Sequence, residues 1–134
     1  MSEITLAETR THNPDRGVYP ASGDYVHAME VVNPQRLLFV AGTMGLDESG
    51  AAGATLEDQL DLIWSNLRTI LGSAGMGVDN IVRLTSYLRD ASYAGANAKA
   101  RTAALGGRPV PTTAIVAQTL SESWMVEIEV IAAA

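Results

Sequence analysis

Two glutamates stand two positions apart near the end of the chain, in the segment Ser123-Trp124-Met125-Val126-Glu127-Ile128-Glu129-Val130-Ile131. Strand side chains alternate between faces, so Glu127 and Glu129 share one face and Trp124, Val126, Ile128 and Val130 share the other. A carboxylate on a strand face is usually solvated. The same group within reach of a bound water accepts a proton, which general acid–base catalysis needs. Tyr25 and His27 are also two apart and face one way; imidazole titrates near neutral pH, and a phenol offers an apolar ring with a polar tip. Glu129 reads as structural, an ion-pair partner for Arg83 or Arg89.

Other chemistries lack their residues. No cysteine occurs, which excludes disulfides, thiolate nucleophiles and cysteine-ligated zinc. His12 and His27 with scattered acids do not make a metal-ligand spacing, and no metal or cofactor is expected. Gly42, Gly45 and Gly53 belong to turns and close approaches, because no Gly-x-Gly-x-x-Gly or phosphate-binding loop is present. The net charge is −6 with nine scattered basic residues, which argues against a nucleic-acid partner, since phosphate affinity comes largely from Lys and Arg displacing counterions. The opening residues lack a basic stretch followed by an apolar one, and no apolar run is long enough to cross a bilayer. A cytoplasmic protein without membrane contact is the expectation.

The elements that must position these residues can be read from periodicity. At 134 residues, with 47% hydrophobic and 18% charged, the chain suits one globular domain spanning residues 1–134 with a core of Ala, Val, Leu and Ile. The turn-rich segment to Gly23 is expected to hold at most one short strand. Strands are expected at Tyr25–Val31 and Arg36–Ala41, joined across Asn33-Pro34-Gln35 as an antiparallel hairpin. From Thr55 the period becomes helical: Leu56, Leu60, Ile63, Leu67, Ile70, Leu71 and Ala74 make one apolar stripe, with Thr55 as N-cap and Gly72 or Gly75 as the stop. Asn80–Arg89 alternates as a strand with Val82, Leu84 and Leu88 inward and Arg83, Thr85, Tyr87 and Arg89 on the opposite face. A second, Ala-rich helix follows, capped by Asp90 or Ser92 and ended by Gly106-Gly107. A proline-led strand, Pro111–Ala117, is expected to pair with the last one. The order is β-β-α-β-α-β-β. Two helices cover one face of such a sheet and leave a mixed face, with Tyr25, His27 and Met29 on one strand and Arg83, Thr85 and Tyr87 on another, open to a subunit contact containing polar pockets.

With these elements in order, the chain resembles the RidA/YjgF family of reactive-intermediate deaminases, also known as L-PSP endoribonucleases. The resemblance rests on Tyr25-Val26-His27-Ala28, Leu38-Phe39-Val40-Ala41-Gly42-Thr43-Met44-Gly45-Leu46-Asp47, the helix from Thr55 to Gly75, Ile81-Val82-Arg83-Leu84-Thr85, Asn97, and Val126-Glu127-Ile128-Glu129-Val130-Ile131-Ala132. It implies a chorismate-mutase-like α+β fold assembled as a homotrimer, with outward helices and a ligand cleft between each pair of adjacent subunits. It also implies hydrolysis of enamines and imines to a keto acid and ammonia without a cofactor.

The resemblance makes Glu127 the acid that orients the attacking water, and Tyr25 the cleft tyrosine. Tyr25, His27, Thr113 and Asn97 form the expected ligand-binding set. One match fails: where family deaminases carry an arginine that grips the substrate carboxylate, Pro111-Thr112-Thr113-Ala114 places Thr113. A bidentate guanidinium gives two charge-assisted hydrogen bonds, a threonine one neutral hydroxyl, a difference of about 1.5–3 kcal/mol. Arg101 or Arg108 could reach back to replace it, although solvated surface positions are the ordinary fate of such residues. The expectation is therefore a C=N hydrolase acting on a small metabolite other than a simple 2-imino acid. The alternative is a non-catalytic metabolite-binding or sensing protein. In either case a neutral or partly charged ligand is expected, held by hydroxyl and imidazole groups.

Overall fold

The computed structural model describes residues 4–134. It contains strands β1 (Glu8–His12), β2 (Ala28–Val32), β3 (Leu37–Met44), β4 (Ile81–Leu88), β5 (Thr112–Val116) and β6 (Val126–Ala133), with helices α1 (Leu56–Ser73) and α2 (Ala94–Ala104). This is the expected α+β architecture, chorismate-mutase-like, with the short N-terminal strand added. A four-stranded sheet runs in the order β3-β6-β4-β5, and β1 and β2 form a separate antiparallel pair. Among the described residues no helix is long and apolar enough to cross a membrane.

α1 begins where Thr55 accepts the Asp58 backbone N–H at 3.1 Å, with Glu57 and Asp58 in its first turn facing the positive end of the helix dipole. It ends at Gly75, whose φ of +72° lets the Met76 N–H return to the Leu71 carbonyl at 2.9 Å. Leu60, Ile63, Trp64, Leu67 and Leu71 are buried, and α1 packs on β3 and β6 with α2 beside it. Ile70, expected in the stripe, is 40% exposed, because it lies at the edge of the arc that contacts the sheet. Asp90 accepts the Ser92 N–H and starts a 3-10 turn that leads into α2, and Gly106 and Gly107 follow that helix at positive φ.

β6 is one of the two inner strands and alternates as expected: Val126, Ile128 and Val130 are buried on the helical side, while Glu127, Glu129 and Ile131 face the other side. Arg83, Thr85 and Tyr87 share the uncovered face of β4 as expected, whereas Arg89 lies past the strand end, and inward the parity slips. A bulge between Ile81 and Arg83 against β6 leaves Ile81 fully buried and turns Val82 partly outward.

Two pairings differ from expectation. β2 pairs with β1 and does not form a hairpin with β3. Asn33 takes a left-handed φ of 48°, and the Gln35 and Arg36 N–H groups both donate to the Ala134 carbonyl, which steers β3 onto β6. β3 and β6 each run eight residues with matched apolar faces, a longer ladder than five-residue β2 offers. Likewise β5 pairs in parallel with β4 instead of lying beside β6. β6 already has β3 on one side and β4 on the other, so β5 takes the remaining edge of β4. The strand expected from Tyr25 starts at Ala28, and Val26 makes only an isolated bridge to Pro111.

Candidate functional site

The uncovered sheet face is ordered by its registers into three rows. Phe39, Ile131 and Arg83 form the first; Glu129, Thr85 and Thr113 the second; Glu127, Tyr87 and Ile115 the third. Successive rows lie about 7 Å apart along the strands, from two residues of rise. Phe39 is 72% exposed and Ile115 47%, so apolar groups flank a polar centre.

Glu127 and Glu129, two carboxylates of one strand, have different surroundings. The Tyr87 hydroxyl donates to Glu129 Oε1 at 2.6 Å. That bond stabilises the protonated phenol, and with desolvation and the Glu129 and Glu127 charges it raises the Tyr87 pKa above its ordinary value. Glu129 is therefore held by Tyr87, and neither Arg83 nor Arg89 pairs with it within 4 Å. Arg89 instead donates to the Thr119 carbonyl at 2.9 Å and the Ser121 carbonyl at 3.3 Å, pinning the β5–β6 connection.

The Glu127 carboxylate makes no hydrogen bond among the described residues and sits half-buried over Gly42. A register shift between Val40 and Thr43 inserts an extra residue in β3, and at this bulge Gly42 leaves its β-carbon space to the Glu127 carboxylate. A Cβ there would overlap Glu127 Oε2. Gly42, Tyr87, Thr119, Leu120, Glu127 and Glu129 line a cavity of about 340 Å³. The arrangement supplies one carboxylate free to accept a proton, next to a neighbour already satisfied by a phenol.

Tyr25 and His27 are together but elsewhere on the chain. Their ring centroids are 5.7 Å apart, edge to face, and Tyr19 meets His27 at 5.1 Å. His27 Nε2 donates to the Tyr19 carbonyl at 2.7 Å, leaving Nδ1 as its other ring nitrogen, and its backbone N–H donates to Asn13 at 2.8 Å. His27 thus pins the N-terminal segment, which Val26 fastens to Pro111 ahead of β5.

Thr113 is exposed on β5, and the one guanidinium that reaches it is that of Arg83, Nη2 to Oγ1 at 3.4 Å. Neither Arg101 nor Arg108 can replace the missing arginine, and neither is the expected solvated surface residue. Arg101 is 4% exposed and paired with Asp24 at 2.5 Å. Arg108 donates to the Val78 and Ile81 carbonyls at 3.1 and 2.7 Å, with burial lowering its pKa. Asn97 is 1% exposed inside the helical layer, an interior residue within the single chain. Its place on the inward side of α2 follows from helical spacing with Arg101, four residues on. His12 pairs with Glu30 across β1 and β2 at 2.9 Å.

Three contributors lie outside the expected ligand-binding set: the space that Gly42 leaves to Glu127, the Tyr87–Glu129 bond, and the guanidinium of Arg83 beside Thr113. A glycine inside a strand pattern is a signal for close approach, and alternation already placed Tyr87 and Arg83 on one face. Which carboxylate the phenol would choose depends on register.

The chain is similar to known proteins in sequence and in fold. The chain is 35% identical over 69 residues to a RutC family protein of Aquifex aeolicus (strain VF5), covering 51% of this chain and 53% of that one. It is 31% identical over 77 residues to the RutC family protein YjgH of Escherichia coli (strain K12), covering 54% and 59%. The matched stretches span between half and three-fifths of these relatives. A crystal structure of YyfB, a conserved Rid family protein of Yersinia pestis, superposes with a TM-score of 0.81 at 26% identity over 94% of this chain and 98% of that one. One described as a putative endoribonuclease L-PSP from Entamoeba histolytica gives 0.69 at 28%, over 98% and 100%. The family model described as Endoribonuclease L-PSP matches residues 17–134, and the chain belongs to this family, the RidA/YjgF proteins.

Proposed function

We propose that the protein is a cofactor-independent hydrolase or deaminase of enamine or imine bonds, acting on a small metabolite other than a simple 2-imino acid. The observation that carries this is Glu127: a half-buried carboxylate without a hydrogen bond among the described residues, given room by Gly42 and opening into a cavity. A carboxylate in that state accepts the proton of a water as the water adds to an electrophilic C=N carbon, and returns it to the departing nitrogen. Thr113 in place of the carboxylate-gripping arginine turns the site away from the simplest imino acids.

Three copies are proposed to meet through the uncovered sheet face, whose exposed Phe39 and Ile115 a single copy leaves in water. Tyr25 and His27 of one subunit would then approach Thr113 of the next and complete an intersubunit cleft. Cytoplasmic location belongs to the same proposal.

The test is Glu127→Gln, which keeps the shape and removes the base. In an assay that generates enamines and imines from a panel of amines and bulky amino acids and follows ammonia release, turnover should fall by about two orders of magnitude or more with ligand binding retained. Turnover unchanged by the substitution would end the hydrolase reading. The second reading, a protein that binds or senses a metabolite without turning it over, is favoured by the absence of arginine at Thr113; it predicts binding without ammonia release in the unsubstituted protein.

A further inference from the structure

We propose that Arg83 is a carboxylate anchor of the site, and that the ligand is a small carboxylate with an apolar or aromatic substituent. This rests on the reading above for the place of the site, and it replaces the expectation of a neutral ligand.

Arg83 stands on the uncovered sheet face, and no carboxylate among the described residues lies within 4 Å of it. Its one hydrogen bond, to the Thr113 hydroxyl at 3.4 Å, is at the long limit for such a contact and leaves the other guanidinium donors unengaged. The other two candidates are committed, Arg101 to Asp24 and Arg108 to backbone carbonyls. An unengaged fork of donors is the group that recognises a planar carboxylate in bidentate fashion.

The surroundings define the rest of the ligand. Phe39, Ala41, Arg83, Thr85, Glu129 and Ile131 line a cavity of about 370 Å³. Phe39 and Ile131 give it an apolar wall in the row of Arg83 itself. The cavity adjoins the one that holds Glu127, since Glu129 lines both. Glu129 is occupied by Tyr87. The contact with Thr113 leans the Arg83 head toward the Glu129 row, one row, or about 7 Å along the strands, from Glu127. A small carboxylate held at Arg83 therefore places its neighbouring carbons between the anchor and the base, with its substituent against Phe39 and Ile131. Thr113 becomes the residue that positions the anchor.

The test measures binding of phenylpyruvate to the assembled protein by calorimetry, with its methyl ester as the uncharged probe and Arg83→Gln and Arg83→Lys as variants. Thermal melting confirms that the variants are folded. The acid should bind the unsubstituted protein at least tenfold more tightly than the ester. Arg83→Gln should lose that tenfold for the acid and leave the ester unchanged. Arg83→Lys should fall between them, because an ammonium keeps the charge but not the fork. Added salt should weaken binding of the acid and not of the ester. Equal affinity for acid and ester, equal affinity in Arg83→Gln, or no binding of the acid would overturn the proposal. Glu127→Gln separates it from the catalytic reading: that variant should keep the affinity for phenylpyruvate, whatever happens to ammonia release.

Discussion

Gly42→Ala tests whether the position of the Glu127 carboxylate, and not only its presence, matters. The backbone at Gly42 is outside the left-handed region, so alanine is conformationally acceptable there. The new Cβ would overlap Glu127 Oε2 and lie 2.9 Å from Cδ and 3.1 Å from Cγ. All three atoms belong to the far part of a flexible side chain, so Glu127 can rotate away without moving the strands. The cost is an off-rotamer or alternative χ setting of about 0.5–1.5 kcal/mol. Against it, replacing glycine removes unfolded-state freedom worth about 0.4–1 kcal/mol. The net change in stability should lie within about 1 kcal/mol, a shift of the melting midpoint of a few degrees. Catalysis should suffer far more, since displacing a proton acceptor by about 1 Å costs on the order of a hundredfold. The assay is ammonia release alongside thermal melting, with Gly42→Ala/Glu127→Gln as the double variant. The double variant should be no slower than Glu127→Gln alone, because the alanine acts only through the carboxylate. Activity of Gly42→Ala within threefold of the unsubstituted protein, or losses that multiply in the double variant, would refute the reasoning.

Three further outcomes follow from the same structure. Light scattering in neutral buffer should report about three times the 14.1 kDa chain mass, and a monomer at micromolar concentration would remove the intersubunit cleft. Ammonia release from 2-iminopropanoate should be weak, because its methyl group leaves the Phe39 and Ile131 wall beside Arg83 unfilled, and should rise in Thr113→Arg, which sets a guanidinium one row nearer Glu127; activity already equal to that of an arginine-bearing relative would show that the threonine carries no penalty. Followed by its absorbance, Tyr87 should ionise above the ordinary phenol value of 10.0, chiefly because it donates to Glu129, and Glu129→Gln should bring that titration down. With the folded pKa raised, the stabilisation from this bond is fully present below pH 10.0 and is lost as the pH rises from there through the folded value, so unsubstituted protein and Glu129→Gln should converge in stability in alkali.

The sequence by itself determined the elements with a clean period. The stripe from Leu56 to Leu71 can fold only as a helix with one buried face, and the alternation in Val126–Val130 puts both glutamates on the uncovered side whatever its neighbours are. Local signals also set both ends of α1 and the end of α2, since a threonine side chain and positive-φ glycines act over three or four residues. Strand partners are another matter, because pairing is a competition between distant segments. Asn33-Pro34-Gln35 is a plausible hairpin turn, yet β3 gains a longer apolar ladder on β6, and β5 is left with the outer edge of β4. The site depends on those outcomes. Alternation shows that Tyr87, Arg83, Thr113 and the two glutamates face the same way on their own strands, but only the registers set Tyr87 on Glu129, Arg83 on Thr113 and the bulged Gly42 beneath Glu127. Hydrogen bonds and overlaps act over a few ångströms, and a shift of one residue between β4 and β6 would have put the phenol and both carboxylates on opposite faces.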